Sequence, residues 1–158
     1  MLLILAGMAV WTTLSTGTLV VQVRDSPEAW SRLDVTFAQV AVHRAEAGNE
    51  SGWVNMTLTQ RTIDFIELGN LTKVLALDRV PAGRYTQLRI IVSSVVGTTG
   101  GMTTSLQVPD GILKTARPFD VPGGGTATVT LDFDLAHSIH ADADGWIFTP
   151  VLGALIIT

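Results

Sequence analysis

Leu33-Asp-Val-Thr-Phe-Ala-Gln-Val-Ala-Val42 is the stretch that decides the fold class. Apolar Leu33, Val35 and Phe37 alternate with polar Asp34 and Thr36, the period-two pattern of a strand with one face buried. Working outward, Thr18-Leu-Val-Val-Gln-Val23 is rich in β-branched residues and reads as a second strand. The same reading extends to Trp53–Leu58, Thr62–Leu68, Tyr85–Val96, Thr103–Val108, Thr126–Phe133 and Trp146–Ile157. Turn signals separate them: Gly48-Asn49, Gly69-Asn70, Pro81-Ala-Gly83, Gly97 to Gly101, Pro109-Asp-Gly111 and Pro122-Gly-Gly-Gly125. About eight or nine short strands at roughly 8–14-residue spacing, with no amphipathic helix of about ten residues, predict an all-β fold. The expected architecture is an antiparallel β-sandwich of the immunoglobulin or prealbumin kind. Ser26-Pro-Glu-Ala-Trp30 carries the cap, Pro and acidic first turn of a short helical turn, and Leu71–Leu77 reads as either strand or helix.

With 158 residues, the chain has room for one compact domain and a short extension. It is 47% hydrophobic and 15% charged, which excludes intrinsic disorder. A net charge of −4 leaves no basic surplus to neutralise phosphates, so nucleic acid is not an expected partner. Without Cys, disulfides, thiolate metal sites and cysteine nucleophiles are excluded.

Much of the apolar excess is local. Residues 1–14 (MLLILAGMAVWTTL) carry no charge, and the first ionisable side chain is Arg24. Three uses compete. A cleaved secretion signal should begin with basic residues, which are missing here, and Ser15-Thr-Gly17 is a mediocre cleavage site. For a membrane-spanning anchor the run is slightly short of the roughly 17–25 residues required. The third use is an assembly element, either a helix packed in a filament core or an apolar strand inserted into a neighbouring subunit's sheet. The division expected is therefore 1–16 as a hydrophobic assembly or anchor segment and 17–158 as the sandwich. Leu2, Leu3, Ile4, Leu5, Met8, Val10, Trp11 and Leu14 are the candidate assembly residues.

The only asparagines, Asn49, Asn55 and Asn70, each begin an acceptor triplet: Asn49-Glu-Ser51, Asn55-Met-Thr57 and Asn70-Leu-Thr72. Ser and Thr make up roughly 18% of the chain, so chance would place all three in such triplets well under about one time in a hundred. Turn preference explains Asn49 and Asn70 but not the hydroxyls at the third positions. The expectation is a glycosylated surface outside the cell.

Catalytic signals are sparse. The densest polar stretch, Asp132 to Gly145, holds Asp132, Asp134, Asp142, Asp144, His137 and His140. Asp142-Ala-Asp144-Gly145 resembles the start of a calcium loop, so Asp142 and Asp144 are weak candidate metal ligands. Trp146-Ile-Phe148 supplies no further ligand, and an Asp-Gly turn joining two strands explains the segment as well; no metal is expected. His137 and His140 at i, i+3 share a face in a helical turn and oppose each other in a strand, and a zinc site would need a third ligand. Ser93-Ser94 lies inside a strand pattern with no nucleophile elbow around it. Asp64 and Glu67, three apart on an expected strand, face opposite sides and do not pair as acid and base. The Gly-rich stretches lack the Lys-Ser/Thr of a phosphate loop. Trp53 and Trp146 suggest a sugar-stacking platform, against which stands ordinary packing on a sheet face. Neither an enzymatic activity nor a cofactor or small-molecule substrate is expected.

Thr18-Leu-Val-Val-Gln-Val-Arg-Asp-Ser-Pro27, Val35–His43, Thr62–Leu68, Val80-Pro-Ala-Gly-Arg-Tyr-Thr-Gln-Leu-Arg-Ile90, Pro118–Gly124 and Leu131-Asp-Phe-Asp134 resemble successive motifs of the domain of unknown function 4382 family. The resemblance spans about residues 17–152. It implies a secreted or surface-anchored prokaryotic β-sandwich domain, archaeal or bacterial, with no catalytic residues to carry over. Pro81-Ala-Gly83 with Tyr85 resembles the tight turn and buried aromatic of such modules. Family members often start with a signal ending in a lipid-attached Cys. This chain has no Cys, so its apolar start must have another use.

Two functions follow as expectations. One is a structural subunit of an extracellular filament or pilus, a homopolymer joined through residues 1–16 with the glycosylated sandwich outside and the membrane met during biogenesis. The alternative is a membrane-anchored cell-surface binding or adhesion module. The apolar run Val151–Ile157 bears on the choice, since an edge strand there suits the filament.

Overall fold

The structure, a computed structural model, describes residues 15–25, 30–45, 52–68 and 71–158. Among these residues lie thirteen strands and two single-turn helices. The decisive stretch lies in β2 (Arg32–Arg44), which runs antiparallel to the long β6 (Gly83–Thr99) from Arg32↔Thr98 to Arg44↔Tyr85. Leu33, Val35 and Phe37 are buried as their alternation requires. The period then slips by one at Ala38, a bulge between Phe37 and Gln39, and resumes with Val40 and Val42 inside. Short strands β3 (Trp53–Asn55) and β4 (Thr62–Asp64) pair with the other side of β2. Three more, β7 (Met102–Leu106), β8 (Ile112–Thr115) and β9 (Phe119–Val121), follow one another along β6 and complete a seven-stranded sheet.

The second sheet has four strands in the order β13 (Leu152–Ile157), β10 (Thr126–Phe133), β1 (Thr16–Asp25) and β5 (Lys73–Pro81). Its inner residues, Leu19, Val21 and Val23 on β1 and Val129, Leu131 and Phe133 on β10, meet Phe37, Leu88 and Ile90 of the larger sheet in one core. Phe37, Phe65 and Phe133 form the aromatic centre of that core, with ring centroids 5.3–6.3 Å apart. The chain is therefore an all-β sandwich. One pairing departs from the antiparallel expectation: β1 and β10 run parallel, from Thr18↔Thr126 to Asp25↔Phe133. Short turns force neighbours in sequence to be antiparallel, whereas these two strands are joined through the whole of the other sheet, a connection long enough for either direction.

Several strand boundaries also move, each for a local reason. The run Thr62–Leu68 stops being a strand at Asp64, whose Oδ1 accepts the N–H groups of Leu33 and Ile66 and turns Phe65–Leu68 into helix α1. Trp53–Leu58 ends at Asn55; beyond it, Thr57, Leu58 and Thr59 bond to β5. Leu71–Leu77 resolves as strand, with β5 starting at Lys73. Trp146–Ile157 divides into β12 (Gly145–Phe148), which pairs with β11 (Ile139–Asp142), and β13 in the four-stranded sheet. Pro150 marks the break between them. Trp30 is buried, while the rest of the expected turn at Ser26–Ala29 lies outside the described residues.

Candidate functional site

A sheet edge is a functional surface only if its outward backbone groups are free, so the two edges of the four-stranded sheet have to be compared. The edge at β5 is covered. Thr59 N–H donates to the Leu75 carbonyl at 2.8 Å, Leu77 N–H to the Thr57 carbonyl at 3.3 Å, and the Gln60 amide to the Val74 carbonyl at 3.0 Å. Thr57 is in turn held by Asp78, which accepts from both its N–H and its hydroxyl.

The edge at β13 is different. Thr128 and Thr158 exchange both backbone hydrogen bonds, at 3.0 and 2.9 Å. Antiparallel alternation then points the N–H and C=O groups of Ile156 toward β10 and those of Leu155 and Ile157 away from it. On the outward side the described partner is Arg117, whose Nη1 donates to the Leu155 carbonyl. Beside this edge the two sheets part, leaving a cleft of about 580 Å³ lined by Arg117, Phe119, Pro122, Ala127, Ile157 and Thr158, among others. The chain enters β1 at the same end of the sandwich: Ser15 O accepts from Ala82, and Thr16 O accepts from Gly124. Sequence reasoning marked Val151–Ile157 as a possible edge but missed Arg117, which stands in no pattern.

The candidate assembly residues Leu2 to Leu14 lie outside the described residues, as do Asn49 and Asn70. Asn55 is described. It is exposed at the end of β3, and its Oδ1 accepts from Gln39 Nε2 at 2.8 Å. Trp53, two residues earlier on the same face, packs against His43 with centroids 5.0 Å apart and under the Arg89 guanidinium at 4.2 Å. Ala41 and His43, which point outward from β2, are buried beneath this group.

The two tryptophans suggested as a platform do not meet. Trp146 stands on β12 edge-on to Trp30, with centroids 5.1 Å apart. The Asp132–Gly145 stretch is likewise dispersed. Asp132 pairs with Arg24 at 3.4 Å. Asp134 caps helix α2 (Leu135–Ser138), and its hydrogen bond to the His137 ring at 2.6 Å holds its carboxyl below the ordinary value. His140 belongs to β11, so the two histidines straddle a helix–strand boundary. Asp142 and Asp144 sit in the turn between β11 and β12, which closes through Gly145 at φ 132°. Among the described residues no group of three or more His, Asp or Glu side chains converges as a metal site.

Asp64 and Glu67 correct an expectation. Because the strand ends at Asp64, they do not oppose each other; both line a small cleft with Leu71, Thr72 and Lys73. Asp64 Oδ1 is taken by two backbone N–H groups, so that carboxylate holds a turn. Ser93 occupies a bulge in β6 and donates to the Thr36 carbonyl. No helix among the described residues is long and apolar enough to cross a membrane.

A family profile described as a domain of unknown function (DUF4382) matches residues 16–150. The chain belongs to the DUF4382 family. The DUF4382 match opens on the first residue of β1 and takes in twelve of the thirteen strands, stopping short of β13. Neither a curated protein nor a solved structure matches this DUF4382 chain.

Proposed function

We propose that this DUF4382 protein is a structural subunit of an extracellular filament, polymerising through its apolar N-terminal segment with the sandwich displayed outside and glycan on its acceptor asparagines. The observation that supports this reading best is the position of β13. Among the described residues it is an edge strand, with Leu155 and Ile157 directing backbone groups outward, while the opposite edge is closed by residues 57–60. An open edge left beside a cleft of mixed polar and apolar lining is a liability for a monomer and an asset for a polymer. The uncharged residues 1–14 add apolar surface, each large side chain contributing about 1.5–3 kcal/mol when buried between subunits.

In this reading the protein is not an enzyme, and its partner is another copy of itself. The test is deletion of residues 2–14. Soluble monomers by light scattering and bare fields by negative-stain microscopy are expected, against filaments from the full chain. Filaments that persist after the deletion overturn the proposal. The alternative, a membrane-anchored adhesion module, draws on the exposed face around Trp53, Arg89 and Gln39; it calls for full chain that floats with vesicles and never polymerises.

A further inference from the structure

We infer that the open edge of β13, with the cleft beside it, is the acceptor into which residues 2–14 of a second copy of this chain add as a fifth strand of the four-stranded sheet. The inference rests on the filament reading and makes it specific, choosing a donated strand over a packed helix. Three observations converge on the site. The outward N–H groups of Leu155 and Ile157 and the carbonyl of Ile157 offer a main-chain ladder at alternate residues. Inward side chains of an added strand would enter the cleft against Phe119, Ala127 and Ile157. Its outward side chains would lie beside Ala154 and Ile156, which are apolar too. Arg117, bonded to the Leu155 carbonyl, occupies one rung and guards the edge against indiscriminate pairing.

The occupant follows from what the site excludes. A charge buried in that seam would have no partner apart from Arg117 and Asp120 at its rim, and residues 2–14 carry none. Length is not limiting: six residues of β13 span about 20 Å, and the thirteen residues of the segment reach about twice that when extended. Return to the chain's own edge is disfavoured by topology. The segment joins β1 between β10 and β5, so it would have to reverse and cross the ends of two strands. Donation to a neighbour needs no such turn, and because donor and acceptor are different surfaces the contact is heterologous and leaves each added subunit with an acceptor for the next.

The absence of native Cys makes the test clean. Full chains bearing Ile156→Cys are mixed with full chains bearing single Cys substitutions at successive positions from Leu3 to Val10, allowed to polymerise, and oxidised. Side chains directly opposite on adjacent strands have Cβ atoms about 4.5–5.5 Å apart, near disulfide range. The expected result is disulfide-linked dimers of the two parents strongest at one scanned position, weaker two residues to either side and missing at the positions between. In a second arm, Ile157→Pro removes an outward N–H without touching the bonds to β10; it should leave the circular dichroism of the domain unchanged and weaken assembly by about tenfold or more, the worth of a lost main-chain bond. Filaments that form with no cross-link at any position, or with links spaced three and four apart as in a helix, overturn the acceptor while leaving the filament intact. A chain carrying both substitutions serves as the control: a disulfide within that single chain, with none between the mixed parents, also overturns it. A full chain that does not polymerise fails the filament reading itself. If Ile157→Pro does not fold, the spacing of the cross-links decides alone.

Discussion

Tyr85 is the one tyrosine of the chain and is fully buried, stacked on Phe119 at 5.5 Å with its hydroxyl donating to the Pro81 carbonyl at 2.7 Å. The hydrogen bond reaches back four residues and fastens the turn into β6, the role expected of the Pro81-Ala-Gly83 segment. Burial raises the phenol above its ordinary value. The unfolded chain therefore ionises first as pH rises. The stability tied to the neutral phenol is intact below about pH 10 and is lost as pH climbs beyond it toward the folded value. Tyr85→Phe should cost about 0.5–1.5 kcal/mol at neutral pH and lose less between neutral and alkaline conditions than the native chain, as read by urea melts at the two pH values. An equal alkaline loss in both proteins would remove Tyr85 as its source. Ser138 is a second buried hub: its hydroxyl donates to the Asp134 carbonyl and accepts from Val151 N–H, tying α2 to the approach to β13.

At the scale of elements, Trp30 locks the start of β2 onto the β11–β12 hairpin through Trp146, and it can do so only because Gly97 of β6 has no side chain. A Cβ on Gly97 would stand 2.5 Å from Trp30 Cζ3. Gly97→Ala should lower stability by about 1–3 kcal/mol in thermal melts, and part of that loss should return when Trp30 is shortened to Leu; strict additivity of the two changes would refute the clash. These contacts also show what was legible beforehand. Leu33, Val35 and Phe37 announced a strand because one residue type follows one face. The bulge at Ala38 was silent, since a slipped period looks like noise until the partner strand is known. β8 and β9, at four and three residues, are too short to show a period. Asp64 was misplaced because one of the two N–H groups that its carboxylate accepts at the strand end belongs to Leu33, a residue distant in sequence. The Asp-Gly turn at Asp144-Gly145 was readable because its signal is wholly local. The outward edge of β13 was not, because edge and centre are properties of the sheet rather than of the strand.

At the scale of the whole molecule, the proposed glycan is read in the mass of the native protein. Native material should have an intact mass above that of the sequence, with peptide mapping placing added saccharide on Asn55, Asn49 or Asn70; an unmodified mass from the source organism would refute the glycan. Asn55 is the informative position. Its side chain is exposed and bonded to Gln39, so Asn55→Gln should remove any modification there and leave the melting temperature of unglycosylated recombinant protein nearly unchanged.

The parallel contact of β1 with β10 has a consequence for biosynthesis. β1 leaves the ribosome about a hundred residues before β10, the neighbour that begins at Thr126, and the strand beyond that neighbour ends at Ile157. Until those residues emerge, the inner face of β1 has half a sheet and half a core. One side of β1 is therefore completed only by residues synthesised about a hundred positions after it, so this pairing is among the last that the sandwich can make during synthesis.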